Sequence, residues 1–176
     1  MGKAWQHSTR FDLGLFLQKA TGLAVDFVTK WLIVDFILEP PRTIEIAPFF
    51  NLTLGFNTGV SFGMFRELFL DRPLLLAGIK MVIVAGLLVW AMNAARPSET
   101  IGLGLIAGGA AGNVLDRIRQ GAVTDFLDFH VGGWHWPAFN MADTMITIGV
   151  VLLIAGPFWS ARATIPVQKR PSREGN

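Results

Sequence analysis

Two carboxylates, Asp125 and Asp143, stand near the ends of two apolar segments, each inside a dense polar motif. The first motif runs Gly108-Gly109-Ala110-Ala111-Gly112-Asn113-Val114-Leu115-Asp116-Arg117 and continues through Gly121-Ala122-Val123-Thr124-Asp125-Phe126. The second is Pro137-Ala138-Phe139-Asn140-Met141-Ala142-Asp143. Asn, Asp and Arg are costly in or beside hydrocarbon, so there they are functional candidates by default. Two close carboxylates cannot both ionise easily, so one of them keeps a proton. The ionised one can activate water while the protonated one polarises a carbonyl, as in an aspartic protease. The spacing alone does not prove that Asp125 and Asp143 touch.

The neighbouring polar residues carry competing readings. Asn113 and Arg117 lie one helical turn apart and can act together; equally, Arg117 can anchor a span end by snorkelling and Asn113 can bond a neighbouring helix. Gly104, Gly108 and Gly112 share a helix face, and small residues at that spacing let spanning helices approach closely. Asp116 continues that face. Asp128, His130 and His135 could be imagined as metal ligands, but their spacing matches no metal motif. They read as solvated loop residues.

The elements that must position these groups are membrane spans. Hydrophobic residues make up 52% of the chain and charged residues 16%, against roughly 25% charged in a soluble domain. A spanning helix needs about 20 mostly apolar residues. Four spans are expected, over about 13–34, 74–95, 97–117 and 139–161, in one integral membrane domain covering 1–176. The second is interrupted only by Lys80. The first holds Gln18, Lys19, Asp26 and Lys30; Asp26 and Lys30 are i, i+4 and can pair, and a paired charge is cheaper to bury than a lone one. The third and fourth reach spanning length only if their polar flanks are drawn in, which places both motifs at one membrane face.

Four spans put both termini on one side. Seven Lys and Arg fall on the terminal side and five on the other, an excess that favours cytoplasmic termini. The segment 39–72 lies between the first two spans and is expected to hold short strands at Thr43–Ile46 and Leu52–Phe56. An amphipathic helix is expected at Phe62–Leu70. The tail 166–176 reads as disordered. The net charge of +2 is too small to suggest nucleic acid. Cysteine is absent, which excludes a disulfide framework, a thiolate metal site and a Cys nucleophile. The N-terminus lacks the pattern of a removable signal peptide.

In these blocks the chain resembles the lipoprotein signal peptidases, or signal peptidase II family. The matching residues are Asp26-Phe27-Val28-Thr29-Lys30, Asn57-Thr58-Gly59-Val60-Ser61-Phe62-Gly63, Gly108 through Asp128, and Pro137 through Asp143. At Val60-Ser61 the family more often has Ala at one or both places. The resemblance implies a mainly α membrane protein of four transmembrane helices with a small extracytoplasmic β-rich cradle. It implies a multi-pass aspartic endopeptidase of the bacterial inner membrane that cuts prolipoproteins before a diacylglyceryl-modified cysteine. Asp125 and Asp143 would then be catalytic. Asn57, Gly59, Gly108, Asn113, Asp116, Arg117, Asn140 and Ala142 would support the site or bind substrate, and Asp26 and Lys30 would be structural. It implies no metal or cofactor, a monomer, and lipid and prolipoprotein as partners.

The residues taken alone leave two other classes open. A small proton or ion transporter would use intramembrane carboxylates, although these polar groups cluster at one face and form no relay across the bilayer. A structural subunit would use the glycines for docking but leaves the Asp, Asn and Arg concentration unexplained.

Overall fold

A computed structural model describes residues 13–59 and 72–162, with side chains over 21–59 and 72–156. The expected helix at Phe62–Leu70, the Val60-Ser61 departure and the tail 166–176 lie outside the described residues. The chain is mostly helical with one small antiparallel sheet. Helix α1 spans Leu13–Leu32 and passes into a π-helical turn, Ile33–Ile37. Strands β1 (Ile44–Ala47) and β2 (Phe50–Asn57) follow. Then come α2 (Pro73–Met92), α3 (Pro97–Gln120), β3 (Val123–Val131), β4 (Trp134–His135) and α4 (Met141–Arg162).

Helix α3 is the centre: it packs against α1, α2, α4 and β3. Its composition permits this, because glycine removes the side chain that would hold a neighbouring backbone away. A methyl group at Gly109 would run into the Ala142 carbonyl, and one at Gly102 would meet the Gly149 carbonyl at 2.7 Å. The face meeting α4 is therefore set by Gly102 and Gly109. Of the glycines singled out by spacing, Gly112 faces α1 instead, where an added methyl would lie 2.5 Å from Asp26 Oδ2. Gly104 and Gly108 are buried in the same helix. Gly121 ends α3 in the left-handed conformation (φ 79°), donating to the Arg117 carbonyl, a common way for a helix to stop.

Helix α2 is apolar on all sides apart from Lys80, with Leu74, Val82, Ile83, Val89 and Met92 exposed. Among the described residues it is the helix long and apolar enough to cross a membrane by length and composition alone. Its half-buried and buried positions form one stripe, Pro73, Leu76, Ala77, Lys80, Val84, Leu87, Leu88 and Ala91, the i, i+3/i+4 pattern of a single packed face.

The four strands lie in the order β1-β2-β3-β4, all pairs antiparallel. Both expected strands before α2 are present. The segment after α3, expected to be loop-like, is a β-hairpin. Gly132 (φ 57°) and Gly133 (φ 82°) form its two-residue turn, with Val131 paired to Trp134; two successive positive φ values suit a tight hairpin and favour Gly-Gly. Phe126, Ile33 and Leu38 are buried together beneath the sheet, with Leu52, Leu54 and Met141 against them.

Candidate active site

The hairpin closes the gap between the two motifs. After β4 the chain runs back along β3: Phe126 and Leu127 donate their N–H groups to the Phe139 carbonyl at 3.0 and 2.8 Å, and Phe139 N–H donates to the Leu127 carbonyl at 3.1 Å. Asp125, just before that pairing, thus meets Asn140 and Asp143, just after it. The fourth helix begins at Met141, not at Phe139 as span length suggested. Asn140 explains the difference: its Oδ1 accepts from Asp143 N–H at 3.0 Å, capping the helix and keeping Phe139 in extended backbone.

Asn140 is fully buried and bonds both motifs. Its Nδ2 group donates to Asp125 Oδ1 at 2.7 Å, and also lies 3.2 Å from the Thr124 carbonyl and from Asn113 Oδ1. Asn113 donates from Nδ2 to Asp143 Oδ1 at 2.9 Å. Asn140 thus holds Asp125 and Asn113 holds Asp143, and these two amides bond each other. Asn57 adds a further hydrogen bond to Asp125. Burial pushes the Asp125 carboxyl up to about 6, and the nearby charge of Asp143 pushes the same way against the hydrogen bonds from Asn57 and Asn140. Both carboxylates line a cleft of about 180 Å³ with Asn57, Asn113, Arg117, Phe139 and Thr147.

Arg117 is 1% exposed, too buried for a snorkelling anchor. Its guanidinium donates to the Gly59 carbonyl at 2.6 Å and to the Asn113 carbonyl at 3.1 Å. The Gly59 N–H in turn donates to Asn57 Oδ1 at 2.9 Å. Arg117 thus fixes the turn that carries Asn57 to Asp125, and it interacts electrostatically with Asp125, Asp143 and Asp116.

Behind the carboxylates lies an ion cluster. Lys30 Nζ sits 2.7 Å from Asp26 Oδ2, 2.8 Å from Asp116 Oδ2 and 3.2 Å from Asn113 Oδ1. Asp26 Oδ1 accepts from Ala142 N–H at 2.9 Å, so α1 ties down the first turn of α4. Asp116 Oδ2 accepts from Thr124 N–H at 3.2 Å, fixing the start of β3. Removing one member of such a cluster strands a buried charge, at a cost of about 3–5 kcal/mol. Of the predicted site residues, Asp125, Asp143, Asn57, Asn113 and Arg117 line the cleft, and Asn140 lies behind it, bonded to Asp125. Asp26, Lys30 and Asp116 form the cluster, and Ala142 joins it through its backbone. Gly59 meets Arg117 through its carbonyl, and Gly108 is buried in α3.

The sequence model of signal peptidase (SPase) II matches residues 19–159. The chain belongs to the signal peptidase II family. It is therefore related to proteases, and the family assignment does not support the transporter reading. The lipoprotein signal peptidase of Beijerinckia indica subsp. indica is 38% identical over 155 residues, covering 88% of this chain and 91% of that one. The lipoprotein signal peptidase of Francisella tularensis subsp. novicida is 40% identical over 156 residues, covering 87% and 96%. A bacterial membrane enzyme solved by the in meso method at 2.3 Å superposes with a TM-score of 0.73 at 27% identity, covering 88% of this chain and 93% of that one.

Asp128 corrects the sequence reading. It is neither solvated nor in a loop: it is 6% exposed on β3 and accepts from Asn51 Nδ2 at 3.1 Å. His135 Nδ1 lies 2.8 Å from its Oδ1. Burial works against its charge, but the bonds from His135 and Asn51 outweigh it and hold the carboxyl below its usual value. These contacts tie β2, β3 and β4 together. The run Thr124-Phe126-Asp128-His130 against Asp125-Leu127-Phe129-Val131 was a strand signal, obscured by Asp125 and Asp128, a residue type depleted in strands.

Proposed function

We propose that this chain is an aspartic endopeptidase that removes signal peptides from prolipoproteins, cutting before the diacylglyceryl-modified cysteine. The observation that carries the catalytic reading is the amide-linked carboxylate pair in the cleft, one member raised to about 6 by burial and by the other's charge. With one proton shared, the ionised carboxylate takes a proton from water as its oxygen attacks the scissile carbonyl. The protonated carboxyl hydrogen-bonds the developing oxyanion. The tetrahedral intermediate then collapses, and a carboxyl returns a proton to the leaving amine. Asn113, Asn140 and Asn57 hold the pair in place, and Arg117 holds the Asn57 turn.

The four long helices serve as four spans of a multi-pass protein in the bacterial inner membrane. Both termini lie in the cytoplasm, the strands form an extracytoplasmic cradle, and the cleft opens near the extracytoplasmic face. That depth suits the substrate. Acyl chains on the cysteine stay in the bilayer, contributing about 0.8 kcal/mol per buried methylene, so the scissile bond is presented near the interface. Binding energy from the lipid is thereby available away from the reacting carbonyl. The chain acts as a monomer, with lipid and prolipoprotein as its partners.

The test is cleavage by purified protein of a signal-peptide segment carrying diacylglyceryl-cysteine, with the scissile bond located by mass spectrometry. The cut is expected on the N-terminal side of the modified cysteine. The same peptide with unmodified cysteine should be cut far more slowly, on the order of a hundredfold, since it loses the acyl anchor. Equal rates for the two peptides would overturn the lipid-guided reading.

A further inference from the structure

Lys80 is the one charged residue on the packed stripe of α2, in a helix whose mean hydropathy is otherwise that of a membrane span. An ammonium on that stripe is desolvated, a cost that leucine at the same position would avoid. None of the site geometry described above uses it. Its depth follows from helix packing. Pro73 at the start of α2 lies against Gly121 at the end of α3, 3.8 Å from where a methyl would sit. The two helices are joined at their other ends by a short connection, so they run antiparallel. Counting from 73 to 80 on one helix and from 121 back to 114 on the other places Lys80 level with Val114, next to Asn113 and one turn below Arg117. Asn113 is the residue that holds Asp143. The Lys80 ammonium accordingly interacts electrostatically with Arg117 on α3, Asp143 on α4 and Asp125 on β3.

From this placement we infer that Lys80 is a positioning residue for the carboxylate pair, adding from α2 to the positive field in which the pair titrates. The inference rests on the aspartic reading of the site. The other cations near the pair are committed elsewhere: Arg117 donates to the Gly59 and Asn113 carbonyls, and Lys30 is bonded to Asp26 and Asp116. Among the described residues, Lys80 is the cation whose field falls on the pair without a structural tie to the loop or to the ion cluster described above. A nearby positive charge favours the ionised carboxylate. Removing it must therefore raise both steps by which the pair titrates, so both limbs of the pH–rate profile move to higher pH.

The experiment is the pH dependence of kcat/KM for the full-length protein in lipid, using a diacylglyceryl-cysteine peptide, which reports titration in the free enzyme. Lys80→Met is expected to displace both limbs upward by on the order of one pH unit, the scale on which protein environments move carboxyl groups. Lys80→Arg keeps the charge and should restore the wild-type limbs. Lys80→Gln, with the same loss of charge and a polar end, should match Lys80→Met and serves if that variant does not fold. Limbs that stay in place for Lys80→Met or Lys80→Gln, whatever happens to the maximal rate, would overturn the inference. Asp125→Asn is run alongside. If it cleaves normally, the aspartic reading itself fails; if it is inactive while the limbs stay fixed, only the role of Lys80 fails.

Discussion

Asn140→Ala probes the junction of fold and chemistry, because one side chain does two separable things. Its Oδ1 caps α4 at Asp143 N–H, and its Nδ2 holds Asp125 at 2.7 Å. Loss of an N-cap costs about 1 kcal/mol. Loss of a hydrogen bond to a charged group costs about 1.5–3 kcal/mol. Together they predict a loss of roughly 2.5–4 kcal/mol in stability, drawn from those two principles. The carboxylate also loses a donor that favours its ionised form, so Asp125, already raised to about 6, rises further. The alkaline limb of kcat/KM should move to higher pH, and the rate should fall roughly ten- to hundredfold if the lost support is felt in the transition state. Asn140→Ser separates the terms. Serine supplies an oxygen to cap the helix but no amide to reach Asp125, so about 1 kcal/mol should return while the pH profile stays displaced. Thermal unfolding and single-turnover cleavage across pH, on all three proteins, make the comparison. A serine variant with the wild-type pH profile would refute the claim that Asn140 positions Asp125.

Three further outcomes follow from the same geometry. Arg117→Lys keeps the charge but loses the planar fork that reaches the Gly59 and Asn113 carbonyls together, so kcat/KM should fall about tenfold or more; a wild-type rate would make Arg117 dispensable to the loop. Gly112→Ala places a methyl 2.5 Å from Asp26 Oδ2 and should displace that carboxylate from Lys30 and from the Ala142 N–H. A loss of about 3–5 kcal/mol is expected, and an unchanged melting temperature would contradict the cluster's structural role. The raised Asp125 means that folding favours its protonated form relative to the unfolded chain. That stabilisation is complete below the ordinary carboxylate range and is lost as pH rises through about 6, up to about 3 kcal/mol for a shift of roughly two units. Asp125→Asn should flatten that stretch of the stability–pH curve, and a curve of unchanged shape would place the titration elsewhere.

Much of this site was legible in the sequence because its residues are out of place there. Asp, Asn and Arg stand out against apolar segments, and the i, i+4 spacings of Asp26 with Lys30 and of Asn113 with Arg117 survive folding because they lie within single helices. The two strands before α2 were legible from their alternation. What local spacing could not give was the route by which Asp125 reaches Asp143. That depends on the β3–β4 hairpin and the return of Phe139 to β3. Its signal, the Gly132-Gly133 pair between alternating runs, was hidden by the charged and imidazole side chains of β3. Asp128 was misread for the same reason, since its partners Asn51 and His135 lie on two other strands. The glycine face was only partly right: α3 packs three helices at once, so a single four-residue repeat cannot name every contact. Lys80 looked like an interruption of an apolar span until the packed stripe of α2 gave it a direction.

The most direct measurement is single-turnover cleavage of a diacylglyceryl-cysteine signal peptide by Asp125→Asn and Asp143→Asn, each checked for thermal stability. Either substitution keeps the size of the side chain and removes its titrating group, so the cleft and its amides remain. Both variants are expected to stay folded and to lose cleavage entirely, because neither carboxylate can replace the other's half of the proton transfer. Cleavage near the wild-type rate in either folded variant would contradict the assignment of Asp125 and Asp143 as the catalytic pair.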